Sequence, residues 1–159
     1  MASSLLSLID KENPLSLTHS TRTAVGAVVS MLMAQLLRLP EAYWAGITTL
    51  AVLQSTPEAA QPAAVQYFGG TVVGAVVGGW AGERFPGNPF ILGACAFAMG
   101  LVFSRLRLER SAYRTATITL AILMLVPAHA GWTVAIHRFF DVLMGVTVGL
   151  VVSALWPER

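Results

Sequence analysis

Three charged residues stand where charge is costly. Arg22, Arg138 and Asp141 fall inside stretches that are otherwise apolar, and Asp141 is the one acidic residue that does so, the other seven lying in connections or tails. An Asp or Arg in the middle of a membrane helix costs about 2.5–3.5 kcal/mol on insertion scales, so each must face protein or water rather than lipid. Arg138 and Asp141 are three residues apart, and two roles are open to them. They could form a salt bridge within one helix. They could instead make an anion station, in which the guanidinium fork takes a carboxylate and the neighbouring acid, once protonated, frees it to do so. Arg22, with His19 one turn earlier and Gly26, Ser30 and Ala34 continuing the same face, would place a second positive charge toward the other end of such a path. Snorkelling to the headgroups is the alternative for Arg22, and His19 and His137 read as solvated interfacial histidines. There are no paired carboxylates, no nucleophile–base pair and no phosphate loop to suggest an enzyme. Three scattered histidines and the single Cys95 offer neither zinc-ligand spacing nor a disulfide framework, so no metal or cofactor is expected.

Composition says what must position these charges. With 159 residues, 55% hydrophobic and only 11% charged, the chain has more apolar surface than a soluble domain of its size could bury, and the bilayer is its expected partner. The formal charge of +2 does not point to nucleic acid, because Arg105, Arg107, Arg110 and Arg114 lie together between two apolar segments, as in a cytoplasmic loop. Six segments read as membrane helices, at 18–37, 42–56, 63–82, 89–106, 112–128 and 134–156, the second and fifth being short. Pro40, Pro57, Pro62, Pro86 with Gly87, Pro89 and the arginine cluster punctuate them. The first 15 residues carry Leu5, Leu6, Leu8 and Ile9 but no signal-peptide pattern, and read as a short interfacial segment. Six spans put both termini on one side with Lys11, Arg105, Arg107, Arg110, Arg114 and Arg159, against Arg38 and Arg84 opposite, so that side is expected to be cytoplasmic.

The fold expected is an all-α, six-helix membrane domain built from a duplicated unit. YWAGITTLAVLQSTP, from Tyr43, is echoed by YRTATITLAILMLVP, from Tyr113, which pairs Thr49 with Thr119 and Pro57 with Pro127 at an offset of 70. Gly74, Gly78 and Pro86 recur as Gly145, Gly149 and Pro157 at an offset of 71. The repeats span about 16–86 and 87–157, and with three helices each, the second must enter the membrane from the opposite face. Inverted three-helix repeats build transporters with a site near the midplane, and the two short segments point to it. Thr49 and Thr119 could satisfy loosened backbone or touch a substrate there, or simply bond back to their own helices. Gly70, Gly74, Gly78 and Gly82 form a stripe at every fourth position, repeated by Gly145, Gly149 and Ser153, and both stripes read as helix-packing faces. Tyr43 and Trp44 fit an interface anchor as well as a site.

Arg22 early in the first span, the YW pair opening the second, Gly70-Thr71 with Gly74, and Arg138, Asp141 and Gly145 in that order resemble the fusaric acid resistance and aromatic acid exporter family over about residues 22–157. The resemblance implies a bacterial inner-membrane module that exports aromatic carboxylates or similar organic anions on the proton gradient, sometimes with a periplasmic adaptor. Plant aluminium-activated malate channels look like distant relatives, with six spans per subunit and working as dimers. The chain departs from the family in having Tyr67 where an arginine is usual, Val142 where threonine is common, and neither the soluble domain nor the second membrane half of the larger exporters. The expectation is a homodimeric efflux transporter of organic anions. A passive anion channel, or a membrane subunit that stabilises a partner without transporting, are the alternatives.

Overall fold

The computed structural model describes residues 17–53, 57–125 and 131–156. The interfacial segment expected at 1–15 lies outside them, as do Lys11, Pro127, Pro157 and Arg159. Among the described residues there are six helices and no strand: α1 (Leu17–Leu36), α2 (Tyr43–Val52), α3 (Pro57–Arg84), α4 (Pro89–Arg105), α5 (Arg110–Leu125) and α6 (Gly131–Leu155).

The helix ends follow from the sequence. Leu37-Arg38-Leu39 after α1 and Leu106-Arg107-Leu108 after α4 are the same tripeptide in the same turn. Arg38 and Arg107 take left-handed φ of 57° and 51°. Leu39 N–H bonds the Ala34 carbonyl and Arg38 N–H that of Gln35, while Leu108 and Arg107 repeat both bonds to Phe103 and Ser104. This is the Schellman arrangement that satisfies the last carbonyls of a helix, here with arginine in the position glycine usually takes. At the start of α4, Asn88 accepts from the backbone N–H of Phe90 and Ile91, with Pro89 at the first helical position.

The expected breaks shift in one place. Pro57 and Pro62 do not separate helices: Pro57 begins α3, where its missing N–H is no loss, and Pro62 lies in the second turn, where a single bond to the Glu58 carbonyl is forgone. The second segment is correspondingly short, 10 residues or about 15 Å of helix. Among the described residues one helix, over Trp132–Leu155, is long and apolar enough to cross a membrane. Threonines, Arg110 and Arg114 dilute α5, and Glu58, Gln61 and Gln66 dilute the first half of α3.

α3 and α6 cross antiparallel at the centre, with Phe68 and Phe139 in ring contact at 5.4 Å. α5 packs parallel along α3, and α2 packs parallel along α6, while α1 lies on α2 and α6 and α4 lies on α5. The interior is rich in small residues, among them Ala34, Ala45, Ala75, Ala81, Ala116 and Ala135, beside a few large ones such as Phe103, Leu120 and Met124, whereas Leu32, Leu50, Val65, Trp80, Phe97 and Leu101 point outward. That distribution suits helices that associate through close van der Waals packing, with lipid as apolar as their outer faces.

The glycine stripes supply the closest packing. A Cβ on Gly70 would strike the Ala112 carbonyl, one on Gly74 the Ala116 carbonyl, and one on Gly82 would come within 2.5 Å of the Leu123 carbonyl. Gly78 meets Leu120 and Leu123 at 3.0–3.1 Å. On α6, Gly145 lies on the Ala45 carbonyl and Thr48, and Gly149 rests on Val52 at an ordinary 3.5 Å.

Candidate functional site

The N-terminal half of α6 faces the start of α2 and the middle of α3, and these three elements assemble the polar site. Arg138 and Asp141 share one face of α6 and are buried to 1% and 0% exposure. They form no ion pair, since both Asp141 carboxylate oxygens and Arg138 Nε and Nη1 are buried without a hydrogen-bond partner. The intrahelical salt bridge allowed by their spacing is therefore absent. Arg138 instead lies flat over Trp44, its Cζ 3.5 Å from the ring centroid, a cation–π contact worth about 2 kcal/mol when desolvated. Trp44 is held in turn by Glu41, whose Oε2 accepts the indole N–H at 3.0 Å. Of the charged groups near Arg138, Asp141 lies one turn along α6 and Glu41 is reached through Trp44.

This disposition leaves a guanidinium with Trp44 over it and with Nε and Nη1 unpaired, on the same helix face as an unpaired carboxyl group. The edge of a guanidinium is its donor fork, the part that recognises a carboxylate in two-point fashion.

The other predicted residues are placed elsewhere. Arg22 does not reach toward headgroups: it is fully buried, and its Nη1 donates to the Trp156 carbonyl at 2.8 Å, which puts a cation at the C-terminal end of α6. Eighteen residues of α6, about 27 Å, separate that carbonyl from Arg138, so the two arginines occupy opposite ends of one helix. Thr49 is a packing residue, its hydroxyl 3.0 Å from both the Ala45 and Gly145 carbonyls, which ties α2 to α6. Thr119 is fully buried on α5 against Gly74, and its hydroxyl has no partner. Tyr43 is exposed, as an interface anchor would be, but Trp44 is not an anchor.

Two participants escaped the sequence reading. Glu41 lies in a connection and was passed over with the other loop acids, although an acid three residues before a tryptophan at a helix start was a usable signal. Thr48 is the other: it is buried on α2 against Gly145 with an unpartnered hydroxyl, as Thr119 is against Gly74.

The profile of the fusaric acid resistance protein-like family matches residues 28–152, a stretch that contains Glu41, Trp44, Arg138, Asp141 and both glycine stripes. The chain belongs to that family. Arg22 lies outside the matched stretch, in keeping with its position at the far end of α6. Inner membrane protein YeeA of Escherichia coli (strain K12) is 28% identical over 147 residues, which cover 90% of this chain and 42% of that protein. The chain thus spans less than half the length of this relative. No solved structure matches the chain.

Proposed function

We propose that this family member is the membrane part of a bacterial inner-membrane exporter of organic anions, aromatic carboxylates among them, that binds its substrate at Arg138 and couples export to protons through Asp141. One observation carries the proposal: a buried guanidinium whose face rests on Trp44 while Nε and Nη1 have no protein partner. A charge left unpaired in such surroundings is costly, and functional sites in membranes are where that cost is retained. The family takes its name from resistance to an organic acid, and YeeA is named an inner membrane protein.

A carrier is favoured over an open channel because Arg138 and Asp141 are shut off from solvent, so an anion reaches them only after the helices move. Supporting an inverted three-plus-three architecture, residues 71 apart make the same contacts. Gly74 sits on Ala116 and Thr119 as Gly145 sits on Ala45 and Thr48, and Phe68 meets its own counterpart, Phe139. Two apolar grooves between α3 and α6, of about 340 and 330 Å³, obey the same rule, with Ala64, Val65 and Phe68 in one and Ala135, Ile136 and Phe139 in the other. The parallel pairs α2 with α6 and α3 with α5 are what six alternating crossings require. A homodimer, and a periplasmic adaptor beyond it, complete the proposal.

The test is flux of an aromatic carboxylate such as benzoate in proteoliposomes, with and without a pH gradient. Arg138→Gln abolishes binding and flux, and Arg138→Lys does not restore them fully, because an ammonium lacks the planar fork. Asp141→Asn, which mimics the protonated acid, keeps binding but loses uphill flux driven by the pH gradient. A wild-type protein whose flux only runs downhill, whatever the pH gradient, would be a channel and would end the carrier assignment.

A further inference from the structure

Trp44 is held from both sides, by Glu41 through its indole N–H at 3.0 Å and by Arg138 across its face at 3.5 Å. Glu41 and Trp44 are half-buried, whereas Arg138 and Asp141 are fully buried, so the indole stands between the partly open connection and the charges. Glu41 is also the second carboxylate whose charge reaches both Arg138 and Asp141. Two carboxylates and one guanidinium sum to a net negative charge, which repels an organic anion, and removing one negative charge relieves that repulsion.

We propose that Glu41 determines which anions reach Arg138: it holds Trp44 across the entry and, as a second carboxylate near that arginine, opposes an organic anion through its negative charge. This rests on Arg138 being the anion-binding residue. Glu41 acts through Trp44 and through its charge, and two substitutions separate these. Glu41→Gln keeps an oxygen to accept the indole N–H and removes the charge. Glu41→Ala removes both.

The experiment uses the full chain in proteoliposomes, with benzoate as probe, and in parallel a version carrying Trp80→Phe, Trp132→Phe and Trp156→Phe so that Trp44 is the sole fluorophore. In Glu41→Gln the KM for benzoate at neutral pH falls about tenfold, the scale of one nearby unit charge partly screened by water. Acrylamide quenching of Trp44 stays at the wild-type level in Glu41→Gln and increases in Glu41→Ala, where the indole is released. A purely structural Glu41 would alter yield or maximal rate without this fall in KM. An unchanged KM in Glu41→Gln, or equal quenching in Glu41→Ala and wild type, overturns the role of Glu41 while leaving Arg138 in place. Benzoate binding that survives Arg138→Gln removes the anion site itself, and the role of Glu41 with it.

Discussion

α3 on α5 and α6 on α2 are two versions of one helix crossing, and they part company at a single turn. Gly74 and Gly145 make matching contacts, each against an alanine carbonyl and a threonine Cβ. One turn earlier, Gly70 is pressed onto the Ala112 carbonyl and Thr115, with no space for a side chain. The position 71 residues later is Asp141, with Arg138 where α3 has Tyr67 and Trp44 where α5 has Thr115. The room for this exchange comes from the partner helix. Tyr43, the first residue of α2, corresponds to Arg114, so the opening turn of α5 has no counterpart in α2. The lesson is that a glycine-packed crossing accepts charges only where its partner stops short, and there the contact becomes a site.

Exchanging the two turns should therefore be strongly asymmetric. Gly70→Asp puts an unpaired carboxylate against the Ala112 carbonyl. Burying the charge costs about 2.5–3.5 kcal/mol and overpacking roughly 1–3 more, enough to remove most of the stability of a small domain. No monodisperse folded protein is expected in mild detergent, and a Gly70→Asp protein that melts like wild type would show that the crossing is not closed. The reverse exchange, Asp141→Gly, removes a buried carboxylate that has no partner. It is expected to raise stability by about 1–2 kcal/mol, the relief of burial less the poorer helix propensity of glycine, while abolishing proton-coupled flux. If thermal unfolding instead shows a loss of about 3–5 kcal/mol, Asp141 and Arg138 support each other as a buried pair does.

Within the glycine stripe of α6 the same comparison can be refined. Gly145→Ala forces a methyl group onto the Ala45 carbonyl and Thr48 and should cost about 1–3 kcal/mol. Gly149→Ala meets only Val52 at 3.5 Å and should be neutral or stabilising by up to about 1 kcal/mol through helix propensity. Equal thermal shifts for the two would mean that helix propensity rather than contact governs the stripe.

Much of this was legible beforehand, for identifiable reasons. A charge inside an apolar run is visible in any sequence, so Arg138 and Asp141 were found from their cost alone, and a glycine at every fourth position has little explanation besides close packing. What the two charges touch was not legible, because spacing of three permits a salt bridge and only the approach of Trp44 from another helix shows why none forms. Arg22 looked like a pathway charge since its contact, the last turn of α6, lies 134 residues away in sequence. The third helix was expected to start at 63 and starts at Pro57, because Pro57 and Pro62 read as terminators although proline is tolerated at a helix start.

The sequence offers two registers between the halves, 70 and 71, and the choice between them gives the smallest but cleanest test. Sequence identity aligns Thr49 with Thr119 at an offset of 70, whereas the contacts to Gly145 and Gly74 align Thr48 with Thr119 at 71. The hydroxyls agree with the contacts. Those of Thr48 and Thr119 are buried without partners, while that of Thr49 is shared between the Ala45 and Gly145 carbonyls. Valine has the shape of threonine without the hydroxyl, so Thr48→Val and Thr119→Val remove an unsatisfied polar atom and should each raise stability by about 0.5–1 kcal/mol. Thr49→Val loses an interhelical bond and should lower it by about 0.6–1.7 kcal/mol, the range measured for hydrogen bonds between membrane helices. Thermal unfolding of the three variants thus sorts the threonines by their true counterparts. Were Thr49→Val and Thr119→Val to shift stability in the same direction with Thr48→Val opposed, the offset of 70 would be restored, and with it a different pairing of every residue along α2 and α5.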